Sequence, residues 1–164
     1  MTIKTGDRLP KASLARLGAK GPEAIDTEAL TKGRKVVIFA VPGAFTPTCS
    51  SAHVPSFIRS KDAILAKGVD EIVCVSVNDV FVMQAWGEAT GANKAGITML
   101  ADGSGDFTAA LGLSFDGPPA GLFRRSKRYS MLVEDGVITH INLEESPGVC
   151  DLSGGETMVE ILSA

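Results

Sequence analysis

The feature that most constrains this chain is a run of apolar, largely β-branched residues, Lys35-Val-Val-Ile-Phe-Ala-Val41, bounded by Gly33 and Pro42. A run without polar alternation reads as a strand buried on both faces. A helical pattern follows over residues 49–67, with Val54, Phe57, Ile58, Ile64 and Leu65 as its apolar positions and Gly68 as its stop. Pro55 within it predicts a kink or an irregular first turn. Residues 71–77 repeat the buried-strand pattern, Asn78 and Asp79 offer a cap, and a second helix is expected over 80–90. A short strand over 97–101 and a short helix over 106–111 come next. Strands joined through helices pair in parallel. Residues 128–134 and 137–143 flank Asp135-Gly136, a dipeptide that accepts the positive φ of a tight turn, so an antiparallel hairpin joins the sheet. A last amphipathic helix is expected over 155–162. The chain up to Gly33 reads as short strands and turns wrapping one domain that spans residues 1–164. The fold class is α/β, with a mixed central β-sheet flanked by helices.

Composition narrows the function. Hydrophobic residues make up 45% of the chain, which argues for a packed core and against disorder. The net charge of -3, with both signs interspersed, leaves no electrostatic footprint for nucleic acid. No stretch approaches the roughly 20 apolar residues that span a bilayer. The opening residues, Met-Thr-Ile-Lys-Thr-Gly-Asp-Arg, lack the apolar segment of a secretion signal, so a soluble, cytoplasmic protein is expected. Neither G-x-x-x-x-G-K-[ST] nor G-x-G-x-x-G occurs, so no nucleotide or flavin cofactor is implied. The two histidines, His53 and His140, lie far apart in the chain, and zinc is not expected.

Three cysteines remain as candidates: Cys49, Cys74 and Cys150. They are too few for a disulfide scaffold, and no pair has C-x-x-C spacing. Cys49 lies where the strand ending at Val41 passes through a turn into a helix. Unpaired N–H groups of a first helical turn favour thiolate over thiol there, and the thiolate is the attacking species. Pro42, Gly43 and Pro47 restrict the turn and shield the sulfur. Thr46 brings a hydroxyl three residues ahead of it. Taken singly, Cys49 reads as an inert buried thiol, Thr46 as a turn hydroxyl, Pro42 as a strand end and Arg128 as an exposed strand arginine.

The combination reads differently. Pro42-x3-Thr46-x2-Cys49 resembles the active-site motif of the peroxiredoxins. The longer string Val41-Pro-Gly-Ala-Phe-Thr-Pro-Thr-Cys-Ser-x-x-His-Val-Pro-x-Phe57 is similar to their five-type, or type II, subfamily. The blocks from Cys74 to Trp86 and from Arg125 to Gly136 share that resemblance. It implies a thioredoxin-like fold and a thiol-dependent peroxidase acting on hydrogen peroxide and small alkyl hydroperoxides, with no metal or organic cofactor. Cys49 would be the peroxidatic cysteine, passing through a sulfenic acid. Thr46, Arg128 and Gly43 would bind the substrate, and Pro42 would shield the pocket. Thioredoxin, or glutaredoxin with glutathione, would be the reductant, and a homodimer paired near the active site is implied.

The remaining residues leave alternatives open. Cys74, between Val73 and Val75, reads as a core thiol. Cys150 lies near the position of the resolving cysteine in the animal-type branch, so it either resolves the sulfenic acid or has no partner. His53, four residues after Cys49, reads as a packed or solvent-edge histidine; beside a cysteine it also fits a cysteine hydrolase. A redox sensor in which Cys49 oxidises once is a further alternative. Phe45, Phe81, Trp86 and Phe123 serve either the core or an interface.

Overall fold

The computed structural model of the chain describes residues 2–164; Met1, the first residue of the expected domain, lies outside them. The apolar run forms strand β3 (Lys35–Ala40), preceded by β1 (Ser13–Gly18), β2 (Gly21–Asp26) and the short helix α1 (Thr27–Thr31). After it come α2 (Val54–Leu65), β4 (Glu71–Ser76), α3 (Val80–Thr90), α4 (Ala92–Ala95), β5 (Thr98–Ala101) and α5 (Asp106–Ala110). The chain closes with β6 (Ser114–Gly117), β7 (Leu122–Ser126), β8 (Tyr129–Glu134), β9 (Val137–Leu143) and α6 (Gly155–Ser163).

Seven strands form one sheet in the order β2-β1-β5-β4-β3-β8-β9. β3, β4 and β5 pair in parallel, and β8 lies antiparallel against β3. This is the α/β, thioredoxin-like arrangement expected from the helix-linked strands and the hairpin. Asp135 and Gly136, with φ of 48° and 78°, make the β8–β9 turn as their residue types require. Two regions differ from expectation. The first hairpin does not merely wrap the fold, because β1 joins the main sheet antiparallel to β5. Residues 114–126 add a separate two-stranded sheet, β6–β7.

The sheet separates two apolar clusters. On one face α2, α3 and α6 cover Val37, Phe39, Val41, Cys74 and Leu132 with Val54, Phe57, Ile64, Met83, Trp86 and Met158. On the other, Leu30, Phe107 and Leu111 cover Ile38, Ala40, Val73, Val75 and Tyr129. Phe39 and Phe57 stack at 4.0 Å between ring centroids, and burying each contributes about 2–3 kcal/mol. α6 lies close against α2: a side chain at Gly155 would meet the backbone of Ser56, and the Gly155 amide donates to Ser56 Oγ at 2.9 Å. That contact brings the chain just ahead of α6 beside the start of α2.

Candidate active site

The site is built where β3 runs out. Val41 still bonds to Val75 of the neighbouring strand, and Pro42 then turns the chain away. Of the two residues offered as a cap, Asp79 caps α3, and Asn78, at the end of β4, instead accepts through its Oδ1 from the Ala44 amide at 3.0 Å. Phe45 is left-handed, with φ of 65°, a conformation that costs a bulky residue of order 1–3 kcal/mol. The Asn78 tie and the Phe45–Trp86 ring contact hold it there. The strained turn brings Thr46 over Cys49.

Cys49–His53 form a π-helical turn closed by the Val54 amide donating to the Cys49 carbonyl. Pro55 falls in the first turn of α2, where its missing N–H is not needed. Of the two expected consequences of Pro55, the irregular turn is the one realised, and it sits at the cysteine itself. Wide turns of this kind recur at functional sites.

Two donors converge on the sulfur. Thr46 Oγ1 lies 2.8 Å from Cys49 Sγ, and Arg128 Nη2 donates to it at 3.1 Å. The threonine has a second acceptor, the Gly43 carbonyl at 2.7 Å. One hydroxyl proton serves one acceptor at a time, so the hydroxyl can donate to the Gly43 carbonyl or to the sulfur, but not to both at once. Arg128 is wholly buried. Its Nε and Nη2 donate to the Pro147 carbonyl at 3.1 and 3.0 Å, and its Nη1 donates to His53 Nδ1 at 2.9 Å. Among the described residues no carboxylate pairs with it. A guanidinium buried without a counter-charge is costly, and its side-chain neighbours within hydrogen-bonding distance are the Cys49 sulfur and the His53 ring. Cys49 itself has no exposed surface, and the partly exposed Thr46 is the outer member of the donor pair.

The chain as a whole is similar to known proteins. The redoxin family profile covers residues 4–159. Chloroplastic Peroxiredoxin-2E-2 of Oryza sativa subsp. japonica is 48% identical over 98% of this chain and 73% of its own length. Peroxiredoxin-2C of the same plant is 44% identical over 98% of both. Reduced Prx3 of Vibrio vulnificus, solved in complex with hydrogen peroxide, superimposes with a TM-score of 0.92 at 48% identity, covering 98% of this chain and 99% of that one. This chain belongs to the type II peroxiredoxins. It is accordingly a thiol-dependent peroxidase, with a peroxide as substrate and a thiol as reductant.

The peroxiredoxin fold gathers Pro42, Gly43, Thr46, Cys49 and Arg128, all singled out in the sequence, at one place. Gly43 contributes its carbonyl to Thr46, and its lack of a side chain leaves room for Arg125, whose Nη1 donates to the Pro42 carbonyl at 3.4 Å. Arg125 is thus a second guanidinium beside the turn, which its residue type alone does not reveal. Cys74 faces the same apolar cluster, and burial pushes its thiol well above the ordinary value. Cys150 is half-buried; burial raises its thiol, and the neighbouring Ser153 side chain partly offsets this.

His53 is neither at the solvent edge nor idle. It is fully buried against Phe39 and Phe57, and both ring nitrogens are engaged. Nε2 bonds the Ser153 carbonyl at 3.0 Å, and Nδ1 accepts from Arg128. No nitrogen is left to serve as a base toward Cys49, which removes the hydrolase alternative. His140 sits exposed on β9 opposite Leu132. Trp86 belongs to the core and donates to Ser50 Oγ at 3.0 Å, whereas Phe45, Phe81 and Phe123 are exposed.

Proposed function

We propose that Cys49 is the sulfur that attacks the peroxide, with Thr46 and Arg128 as its partners. The observation that carries this reading is the convergence of Thr46 Oγ1 and Arg128 Nη2 on one buried sulfur. The thiolate attacks one peroxide oxygen; an S–O bond forms as the O–O bond breaks. Sulfur loses two electrons and becomes a sulfenic acid, and the departing oxygen gains them and is protonated to water or an alcohol. Thr46 and Arg128 donate where that negative charge develops. Pro42 and the Gly43 carbonyl fix the turn around it. The tight enclosure of Cys49 supports hydrogen peroxide and small alkyl hydroperoxides as substrates.

A thiol then reduces the sulfenic acid, and glutathione with glutaredoxin, or thioredoxin, is the source we favour. Resolution by Cys150 is the second reading, because its segment touches the site: Thr48 Oγ1 donates to the Gly148 carbonyl at 3.1 Å. That route needs the Cys49 and Cys150 Cα atoms within about 7 Å and the segment released from Glu144, which accepts from the Leu152 and Ser153 amides. The whole chain acts as one domain in this reading, and the exposed rings of Phe45, Phe81 and Phe123 support pairing of two copies. Three free thiols suit a reducing compartment such as the cytoplasm.

The test is steady-state peroxide turnover of wild type, Cys49→Ser and Cys150→Ser with each reductant in turn. Cys49→Ser should lose all turnover. Retained activity in it refutes the assignment, and a single stoichiometric oxidation of wild type without turnover favours the sensor. A disulfide between residues 49 and 150, mapped after one equivalent of peroxide, would select the second reading.

A further inference from the structure

We propose that His53 is a positioning residue of this peroxidase: its unprotonated Nδ1 holds the Arg128 guanidinium in the orientation that presents Nη2 to the Cys49 sulfur. The inference rests on the proposed roles of Cys49 and Arg128. A guanidinium is planar, so fixing two of its edges fixes the third. The Pro147 carbonyl takes Nε and Nη2 on one edge. His53 Nδ1 takes Nη1 on another at 2.9 Å, which leaves the remaining Nη2 proton directed at the sulfur at 3.1 Å.

An imidazole can play this part only in one tautomer. A carbonyl oxygen accepts and never donates, so the Ser153 carbonyl 3.0 Å from Nε2 places the proton on Nε2 and leaves Nδ1 as the acceptor. Ser153 is itself held: its amide and its hydroxyl both donate to Glu144 Oε2 at 2.6 Å. The chain of contacts therefore runs from Glu144 through Ser153 and His53 to Arg128 and the sulfur. Burial, and then the Arg128 charge, lower the His53 pKa to about 3, so the ring remains neutral and Nδ1 stays an acceptor at any pH where the enzyme works. The π-turn places His53 and Cys49 at the two ends of one five-residue segment, which fits a division of labour between them.

Two substitutions separate this role from mere packing. In His53→Asn the side-chain oxygen can take the place of Nδ1 and accept from Arg128. In His53→Gln the amide reaches the place of Nε2, so it can keep the Ser153 contact, and it fills more of the cavity. Both variants and Arg128→Met are compared for kcat/KM toward peroxide, kcat/KM toward the reductant, and melting temperature. His53→Asn should retain most of the peroxide kcat/KM, while His53→Gln should lose about tenfold or more, the size of a lost hydrogen bond to a charged group. The reductant kcat/KM should change little in either. Equal peroxide kcat/KM in the two variants, or a better glutamine variant, overturns the inference. If Arg128→Met keeps wild-type peroxide kcat/KM, the underlying reading of the site fails instead.

Discussion

Cys49 and Cys74 occupy the same apolar cluster, on the same side of the sheet, and neither has exposed surface. Their surroundings differ in one respect. Cys74 is set in β4 opposite Phe39, and among the described residues no side-chain donor reaches its sulfur. Burial, with a smaller contribution from the Cys49 sulfur, then keeps it a protonated thiol. Cys49 is buried as deeply, yet a hydroxyl and a guanidinium are aimed at it. If Cys49 is the reacting sulfur, as proposed, depth of burial does not by itself decide whether a cysteine reacts. What matters is whether the fold brings donors into the dry region with it, where they act far more strongly than in water.

The most damaging test of that contrast is Arg128→Met, which keeps the apolar stem and deletes the charge. Peroxide kcat/KM should fall by about 10²–10³-fold, the scale of losing a preorganised donor. A loss of a few-fold would make the two cysteines more alike than the geometry says. The histidine bonded to Arg128 sharpens the point through stability. Folded His53 resists protonation down to a pKa of about 3, whereas unfolded His53 takes up a proton below its ordinary 6.5. The unfolded state therefore binds more protons across that window. The His53 contribution is complete above pH 6.5 and is lost as pH falls toward 3, on the order of a few kcal/mol. Denaturant unfolding of wild type and His53→Asn at a series of pH values should show the steeper decline in wild type; parallel curves would refute it.

Thr46→Val removes one donor at nearly constant volume. A fall of about tenfold to a hundredfold in peroxide kcat/KM is expected, with Thr46→Ser close to wild type, from the value of a hydrogen bond to a charged group. The smallest effect belongs to the other thiol. Cys74→Ala should leave peroxide turnover unchanged and lower stability by about 1 kcal/mol, through a small cavity measurable by denaturant titration. An activity loss there would show that Cys74 takes part after all.

The parallel strands β3, β4 and β5 are legible in the sequence because strands buried on both faces must be continuously apolar. The β8–β9 hairpin is legible because Asp135-Gly136 fits few other structures. β6 and β7 are not, since a short, largely exposed ribbon broken by Gly117, Pro118 and Pro119 carries no periodic pattern. At the site, Thr46 and Cys49 are near neighbours, and the turn that carries them shows in Pro42, Gly43 and Pro47. Arg128 contacts residues 75 and 79 positions away. It shares strand parity with Ser130 and Leu132, and Leu132 packs into the Cys49 cluster. That parity is hidden because β8 is buried on both faces and shows no alternation. For the same reason only the family resemblance raises Arg128 above Arg124, Arg125 and Lys127. His53 escapes because a lone histidine says nothing of which long-range partners its two nitrogens meet.

The most direct measurement of the central claim places all three thiols in competition. The reduced protein is mixed with one equivalent of hydrogen peroxide in the presence of a dione that traps sulfenic acids, and each cysteine is quantified by mass spectrometry. The account predicts the adduct on Cys49, with Cys74 and Cys150 unmodified. An adduct first on Cys74 or Cys150, with Cys49 still reduced, would contradict it.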